Sequence, residues 1–273
     1  GSLRQAPSSC VASKLFRFVI QDTHCCILAG QRFMRTVSDT RTSRPAKRPK
    51  LTYLNFPGTA EATRLALFVG GIEFEDERIS YEEVKKRRSG GQLPFGQVPT
   101  LEMEDGVVHS QSNALLRWVG SKTGLYPDGL HLKIDGVLEA ILDVKYKLNV
   151  WHYDAALGRH PMTSSPALPL TDEQKAEVGP YFNDILLPAR FAELEHFIVD
   201  SDGPFFCGET LTICDLDFYT FVAPILSSEM LQGGIKPSCL EGHPALCKQV
   251  RSVARIPRVR EWNIAHEQTQ YNF

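Results

Sequence analysis

The sequence predicts an α/β unit followed by an all-helical unit, and three observations carry that expectation. Residues 50–79 read as strand, helix, strand, the order of a parallel βαβ unit. Residues 98–122 read as strand, turn, strand, helix, which completes a βαβ-ββα order. From His131 onward the regular signal is helical periodicity.

A chain of 273 residues is long enough for two small domains and a real core. With 42% hydrophobic and 23% charged residues it is globular in composition, which excludes disorder throughout. The net charge of −2 hides an asymmetry: residues 1–49 carry nine Lys/Arg against two Asp, whereas the remainder carries 21 basic and 30 acidic residues. An acidic body argues against nucleic acid as a partner, and the sequence holds no run of 18 apolar residues to span a membrane. Seven cysteines (Cys10, Cys25, Cys26, Cys207, Cys214, Cys239 and Cys247) show no CxxC or metal-ligand spacing, so no metal is expected. An odd count of scattered thiols points to a reducing compartment.

Residues 1–49 are an extension rich in Arg and Ser and free of Glu, with the composition of an organelle transit peptide or of a disordered tail. The expected location is the cytoplasm, or a plastid or mitochondrion if that extension is a transit peptide. The first domain is expected over 50–124. Leu51–Leu54 alternates like a buried strand, and Asn55–Gly58 is a turn cluster. Thr59 is placed to cap a helix over Glu61–Val69, which Gly70-Gly71 ends. Ile72–Ile79 reads as a second strand, and 81–92 as a short irregular helix and loop. Residues 124–130 form a linker to an all-helical domain over 131–264, and 265–273 is a polar tail. Within the helical domain, 158–170 is a Pro/Ser-rich loop, Pro180 and Pro188 bend or break the following helix, and Thr212–Asp215 is a capping box.

The segment Pro94–Ser112, PFGQVPTLEMEDGVVHSQS, organises the first domain. Val98–Met103 and Val107–His109 are short strands joined by Glu104-Asp105-Gly106, where Asp-Gly tolerates positive φ. Pro99 stands at a strand entrance, and Val98-Pro99 is a candidate cis peptide. A cis bond there would turn the Val98 backbone outward to pair with an extended peptide. Ser112 at a helix N-terminus suits a carboxylate. Read alone, Gln111-Ser112 is a helix cap and Tyr53 a packing residue of its strand.

This segment, preceded by KLTYLNFPGTAEATRLAL at 50–67, resembles the glutathione S-transferase family, and within it the sigma class. The resemblance covers roughly residues 50–262 and implies a thioredoxin-like first domain with a helical second one. It implies that Tyr53 is catalytic, its phenol donating a hydrogen bond to the glutathione sulfur and favouring thiolate over thiol. It implies glutathione contacts at Leu54, Gln97, Val98, Pro99, Gln111 and Ser112, with Arg88 toward the glycyl carboxylate. Asp143, on a helix over 131–157, would reach the γ-glutamyl amine across a homodimer, and Phe95 would insert into the partner subunit. An acceptor pocket would draw on Phe56, Pro57, Trp151 and Tyr153. Two positions depart from the sigma pattern: Thr59 stands where many members have a supporting Arg, and Val84 where they have a Trp. The first implies weaker thiolate stabilisation and argues against a prostaglandin-isomerase role.

The expected activity is glutathione transfer to a hydrophobic electrophile or reduction of an organic hydroperoxide. Glutathione is then a co-substrate and no cofactor is needed. No Cys lies near Tyr53, so the thiol comes from glutathione. The alternatives are a non-catalytic glutathione or ligand binder of crystallin or ligandin type, and a protein-docking domain.

Overall fold

The first strand, Lys50–Leu54 (β1), carries side chains that are buried on both of its faces, with Leu51 0%, Thr52 3% and Tyr53 2% exposed. Burial on both faces is the mark of a central strand. In this computed structural model, which describes residues 48–157, 171, 173, 176, 179–227 and 234–266, β1 sits between two partners. Glu75–Ile79 (β2) runs parallel to it in the register Lys50↔Glu75 to Leu54↔Ile79. Thr100–Glu102 (β3) runs antiparallel from Lys50↔Glu102 to Thr52↔Thr100, and Val108–Ser110 (β4) pairs with β3, giving the order β2-β1-β3-β4. The connection between the parallel strands is Glu61–Val69 (α1), and Ser112–Thr123 (α3) follows β4. This is the expected thioredoxin-like arrangement with a mixed four-stranded sheet.

The second strand is shorter than expected: residues 72–74 stand outside it and β2 keeps only EDERI. A charged edge strand resists pairing with other chains. Here its charge is also used. Thr52 Oγ1 donates to Glu77 Oε2 at 2.6 Å, and Arg87 donates to both Glu77 oxygens at 2.9 and 2.8 Å. The Arg87 hydrogen bonds, with Thr52 assisting, hold the Glu77 carboxyl down from its usual 4.5 to about 2. A depressed carboxylate contributes stability above its unfolded pKa and loses that contribution as pH falls through its folded pKa. The urea midpoint should therefore drop between about pH 5 and about pH 2, and Glu77→Gln should make that slope shallower while lowering stability at neutral pH. An unchanged slope in the variant would mean that other carboxylates carry the acid response.

Arg87 belongs to Tyr81–Ser89 (α2), which is a regular nine-residue helix where a short irregular one was expected. Ser80 caps it by accepting from Glu83 N–H, acidic residues open it and basic residues close it. Both features favour the macrodipole, and Glu82–Lys85 and Glu83–Arg87 pairs line its flank. Polar composition thus supports this helix instead of dissolving it. Val84, its one fully buried side chain, packs with Ile79 and Leu93.

The helical half begins with His131–Leu157 (α4). After Pro180 the chain takes a π-helical turn over Tyr181–Leu186 and then continues as Leu187–Val199 (α5). Pro188 lacks the N–H that would bond the Asp184 carbonyl in α register, a local reason for the widening. Ile213–Leu226 (α6) is buried on nearly every side. Its capping box forms as expected, Thr212 and Asp215 exchanging side-chain-to-backbone hydrogen bonds. Pro244–Ala254 (α7) and Pro257–Ala265 (α8) each carry Pro in the first turn, where its missing N–H is harmless.

The described residues from 48 onward cluster as one compact unit, and the α/β and helical halves share a core. Trp262 of α8 donates Nε1–H to Glu61 of α1 at 2.7 Å, and Arg258 donates to the Phe68 carbonyl at 2.8 Å. The expectations for residues 1–47 of the extension, for the 158–170 loop and for 267–273 of the tail lie outside the described residues. Among the described residues, no helix is long and apolar enough to cross a membrane.

Candidate active site

A cleft of about 280 Å³ opens at the end of β1, between the sheet and α4. Tyr53, Leu54 and Thr59 form one wall. Gln97, Val98 and Pro99 form the second, and Gln111 with Ser112 the third. Leu142, Lys145 and Tyr146 of α4 complete it from the helical half.

Each wall has a local reason for its shape. The β1–β3 ladder stops at Thr52↔Thr100, so Val98 stands beyond the last paired residue, in the lining of the cleft. The Val98-Pro99 peptide is cis. Gln111 takes φ 78, a left-handed conformation uncommon for a residue with a side chain. That turn directs the chain from β4 straight into α3, so Ser112 is the first helical residue and the α3 N-terminus faces the cleft.

The contact between Tyr53 and Thr59 differs from the expected one. Thr59 caps no helix: the chain makes a 3-10 turn over Gly58–Ala60 before α1, with no side-chain cap bond. The Thr59 hydroxyl instead donates to the Tyr53 phenol oxygen at 3.2 Å, and the Thr59 N–H donates to the same oxygen at 3.3 Å. Gly58, at φ 50, fits against the ring so closely that a Cβ there would lie 2.6 Å from the phenol oxygen. With two donors pointing at its oxygen, the phenol has its own proton left to give. The Tyr53 ring is supported by the Phe56 edge at 5.5 Å and by the buried Arg64 guanidinium at 5.6 Å.

The family profile for the glutathione S-transferase N-terminal domain matches residues 49–121, and the profile for its C-terminal domain matches residues 159–265. The chain belongs to the glutathione S-transferase family. Glutathione S-transferase 1 of Ascaris suum is 27% identical over 227 residues, 81% of this chain and 98% of that protein. The human glutathione S-transferase A1 is 40% identical over 102 residues, 36% of this chain and 46% of that protein. Among solved structures, the Ascaris lumbricoides glutathione S-transferase superposes with a TM-score of 0.64 at 26% identity, covering 81% of this chain and 98% of that one.

Several residues that the family resemblance singled out stand apart from the cleft of this glutathione S-transferase chain. Arg88 is exposed and donates from Nε to the Gly96 carbonyl at 2.6 Å, tying α2 to the loop before Val98. Its guanidinium supports a cleft segment and does not line the cleft. Asp143 is exposed on α4, one position away from Leu142, and also lies outside the lining, because successive helical residues diverge by about 100°. Phe56 and Pro57 are exposed beside the entrance, Phe56 in edge contact with Tyr53. The side chains of Trp151 and Tyr153 lie outside the described residues. Phe95 is 78% exposed with φ 53.

Two contributors escaped sequence reasoning. Lys145 lines the cleft and donates to Asp217 of α6 at 2.6 Å, both side chains largely buried. A partner 72 residues away leaves no spacing signal. Leu142, Lys145 and Tyr146 do stand at i, i+3 and i+4, so one face of α4 was legible without its destination. Arg64 was the other: it sits inside the apolar pattern of α1, and its complete burial beside the Tyr53 ring has no mark in the spacing. Among the described residues, no cluster of His, Cys, Asp and Glu is arranged to hold a metal ion.

Proposed function

We propose that the chain is a glutathione transferase in which Tyr53 donates its phenol hydrogen to the glutathione sulfur and holds it as a thiolate. The observation that carries this reading is the pair of hydrogen bonds from Thr59 into the Tyr53 oxygen, which orients the phenol proton outward. A free thiol with pKa of about 8.5 is a few per cent ionised at pH 7, and lowering it by about two units ionises roughly three-quarters of it, for about 1.4 kcal/mol per unit. The thiolate is the reactive nucleophile.

In the same reading the cysteinyl backbone of glutathione pairs with Val98, beyond the last rung of the β1–β3 ladder, while Leu54 and Gln97 flank it. The γ-glutamyl carboxylate takes the N-terminus of α3 at Gln111 and Ser112, where orphan N–H groups and the helix dipole favour an anion. Arg88 acts through the Gly96 carbonyl, steadying the loop that carries Gln97 and Val98. The acceptor, a hydrophobic electrophile or an organic hydroperoxide, approaches past Phe56 and Pro57, with Leu142 and Tyr146 across the opening. The sigma class fits KLTY at 50–53 best, with the Thr59 pair in place of the Arg found in many of its members. Exposed Phe95 and Asp143 suit a homodimer in which each protomer completes its partner's site.

Ultraviolet difference absorption during a glutathione titration at neutral pH tests the proposal. A saturable thiolate band is expected, together with turnover of a soft aromatic electrophile. Saturable binding without the band would sink the Tyr53 mechanism and favour a glutathione-binding protein of ligandin type.

A further inference from the structure

Among the described residues that line the cleft, Lys145 is the one with a charged side chain, and the glutathione contacts make no use of it. It belongs to the α4 wall with Leu142 and Tyr146, whereas Tyr53 and Thr59 belong to the β1 wall. A lysine on a four-carbon stem is free to wander unless something holds it, and α6 does. Asp217 and Phe221 stand at i and i+4 on one face of α6. The Lys145 ammonium donates to Asp217 Oδ1 at 2.6 Å and lies 5.6 Å from the centre of the Phe221 ring. The Lys145 side chain is 16% exposed and that of Asp217 8%, and of the two the lysine is the one that lines the cleft. The carboxylate therefore backs the ammonium from the α6 side.

An ammonium has three N–H donors. Among the described residues, the one hydrogen bond that Lys145 makes goes to Asp217, so two donors remain for a ligand in the cleft. The pairing also selects the kind of ligand. An acceptor with a full negative charge would be drawn by the ammonium and repelled by the carboxylate beside it. A neutral oxygen meets no such repulsion, and it takes up the N–H groups more strongly as charge grows on it. Thiolate attack moves negative charge off the sulfur and onto the acceptor, away from the Tyr53 hydroxyl. A fixed cation on the α4 wall is placed to receive that charge, and an interaction that strengthens in the transition state accelerates the step.

We propose that Lys145 is a catalytic residue that donates to the acceptor oxygen on which charge develops, and that it directs the enzyme toward α,β-unsaturated carbonyl compounds. This rests on the reading of Tyr53 as the group that holds the glutathione thiolate. The sulfur lone pair forms the S–C bond to the β-carbon. The C=C π pair becomes the new bond between the α-carbon and the carbonyl carbon, and the carbonyl π pair moves to oxygen, where Lys145 donates to the enolate. Water then protonates the α-carbon as the carbonyl re-forms, and the hydroxide left behind takes up the equivalent of the proton that the thiol released on ionising. Lys145 keeps its protons throughout. Leu142 and Tyr146, on the same face of α4, flank the apolar remainder of the acceptor.

The test compares two acceptors of similar size, benzylideneacetone and benzyl chloride, with the full-length chain and saturating glutathione. Addition to the first places charge on oxygen; displacement on the second sends it off as chloride, a weak hydrogen-bond acceptor. Lys145→Met keeps the length of the stem and removes the ammonium. It should lower kcat for benzylideneacetone by about 10²-fold, the loss expected on removing a donor to a developing oxyanion, with KM nearly unchanged. Its kcat for benzyl chloride should change by less than about threefold, since the thiolate is left in place. Lys145→Arg keeps a cationic donor and should hold the ratio of the two rates within about tenfold of the parent's. The double variant Lys145→Met with Asp217→Asn leaves no buried carboxylate without its cation, so it provides a folded protein if Lys145→Met is unstable, and it should show the same selective loss. Equal losses on both acceptors in these variants, or no loss on either, would overturn the catalytic role of Lys145 and leave the Tyr53 reading standing. A parent that turns over benzyl chloride alone would overturn the carbonyl preference. A parent that turns over neither acceptor would overturn the Tyr53 reading and the role of Lys145 with it.

Discussion

Tyr53→Phe should lower kcat/KM for glutathione conjugation by about 10²–10³, the loss expected when one donor to a developing or resident anion is removed. The glutathione Kd should change by less than about threefold, because the contacts assigned to Val98, Gln111 and Ser112 are left in place. The substitution deletes one oxygen from a ring that is 2% exposed and packed between Phe56 and Arg64, which keeps the ring in place while the Thr59 hydroxyl and N–H lose that acceptor. Steady-state kinetics at saturating and limiting glutathione separate the two effects, and the thiolate band should vanish with the oxygen. Thr59→Val provides an intermediate case. It keeps the backbone N–H to the phenol and removes the hydroxyl, so one of two orienting bonds survives. A loss of about tenfold is expected, in keeping with a hydrogen bond of about 1–1.5 kcal/mol. If Tyr53→Phe retained full kcat/KM, another group would have to ionise the sulfur.

Arg64→Ala should be the most destabilising single change in the α/β half, at about 3–5 kcal/mol, the range for breaking a buried ion pair from one side. Arg64 is 0% exposed. Its Nε donates to Asp76 at 2.9 Å, and its Nη1 donates to Glu61 at 3.0 Å and to the carbonyls of Phe56 and Pro57 at 3.3 and 3.0 Å. Removing it takes a positive charge away from the 2%-exposed Glu61, which also receives the Trp262 indole. It also loosens the loop that delivers Thr59 to Tyr53, so activity should fall in the fraction that remains folded. Chemical denaturation should show a lower midpoint. Arg64→Lys should recover only part of it, because an ammonium keeps the charge and cannot reproduce the planar fork. A loss under about 1 kcal/mol would show that the network contributes specificity of packing with little net stability.

Much of the α/β half is legible in the sequence. The strands around Tyr53 and Pro99, the Asp-Gly turn and the α3 start are set by local chemistry: alternation, turn residues and a helix N-terminus acting over a few positions. The helical half is legible as helices, since Thr212 and Asp215 cap α6 through a contact only three residues long. Local polarity is the misleading signal. The charged run at 81–89 reads as weak helix, yet its charges pair along the helix and with Glu77.

The sequence by itself determined the order of elements, the family resemblance and the two segments, 53–59 and 97–112, that build three walls of the cleft. The tertiary structure alone decided which partner each polar group takes. It turned Thr59 from a helix cap into a donor to Tyr53, drew Arg64 inward, set Arg88 against a carbonyl, and brought Lys145 of α4 to Asp217 of α6. The reason is physical. Caps, turns and periodicity are fixed by neighbours along the chain. A buried hydrogen bond or ion pair is instead chosen among all groups that packing brings within about 3 Å, and that choice exists only once the helical half closes on the sheet.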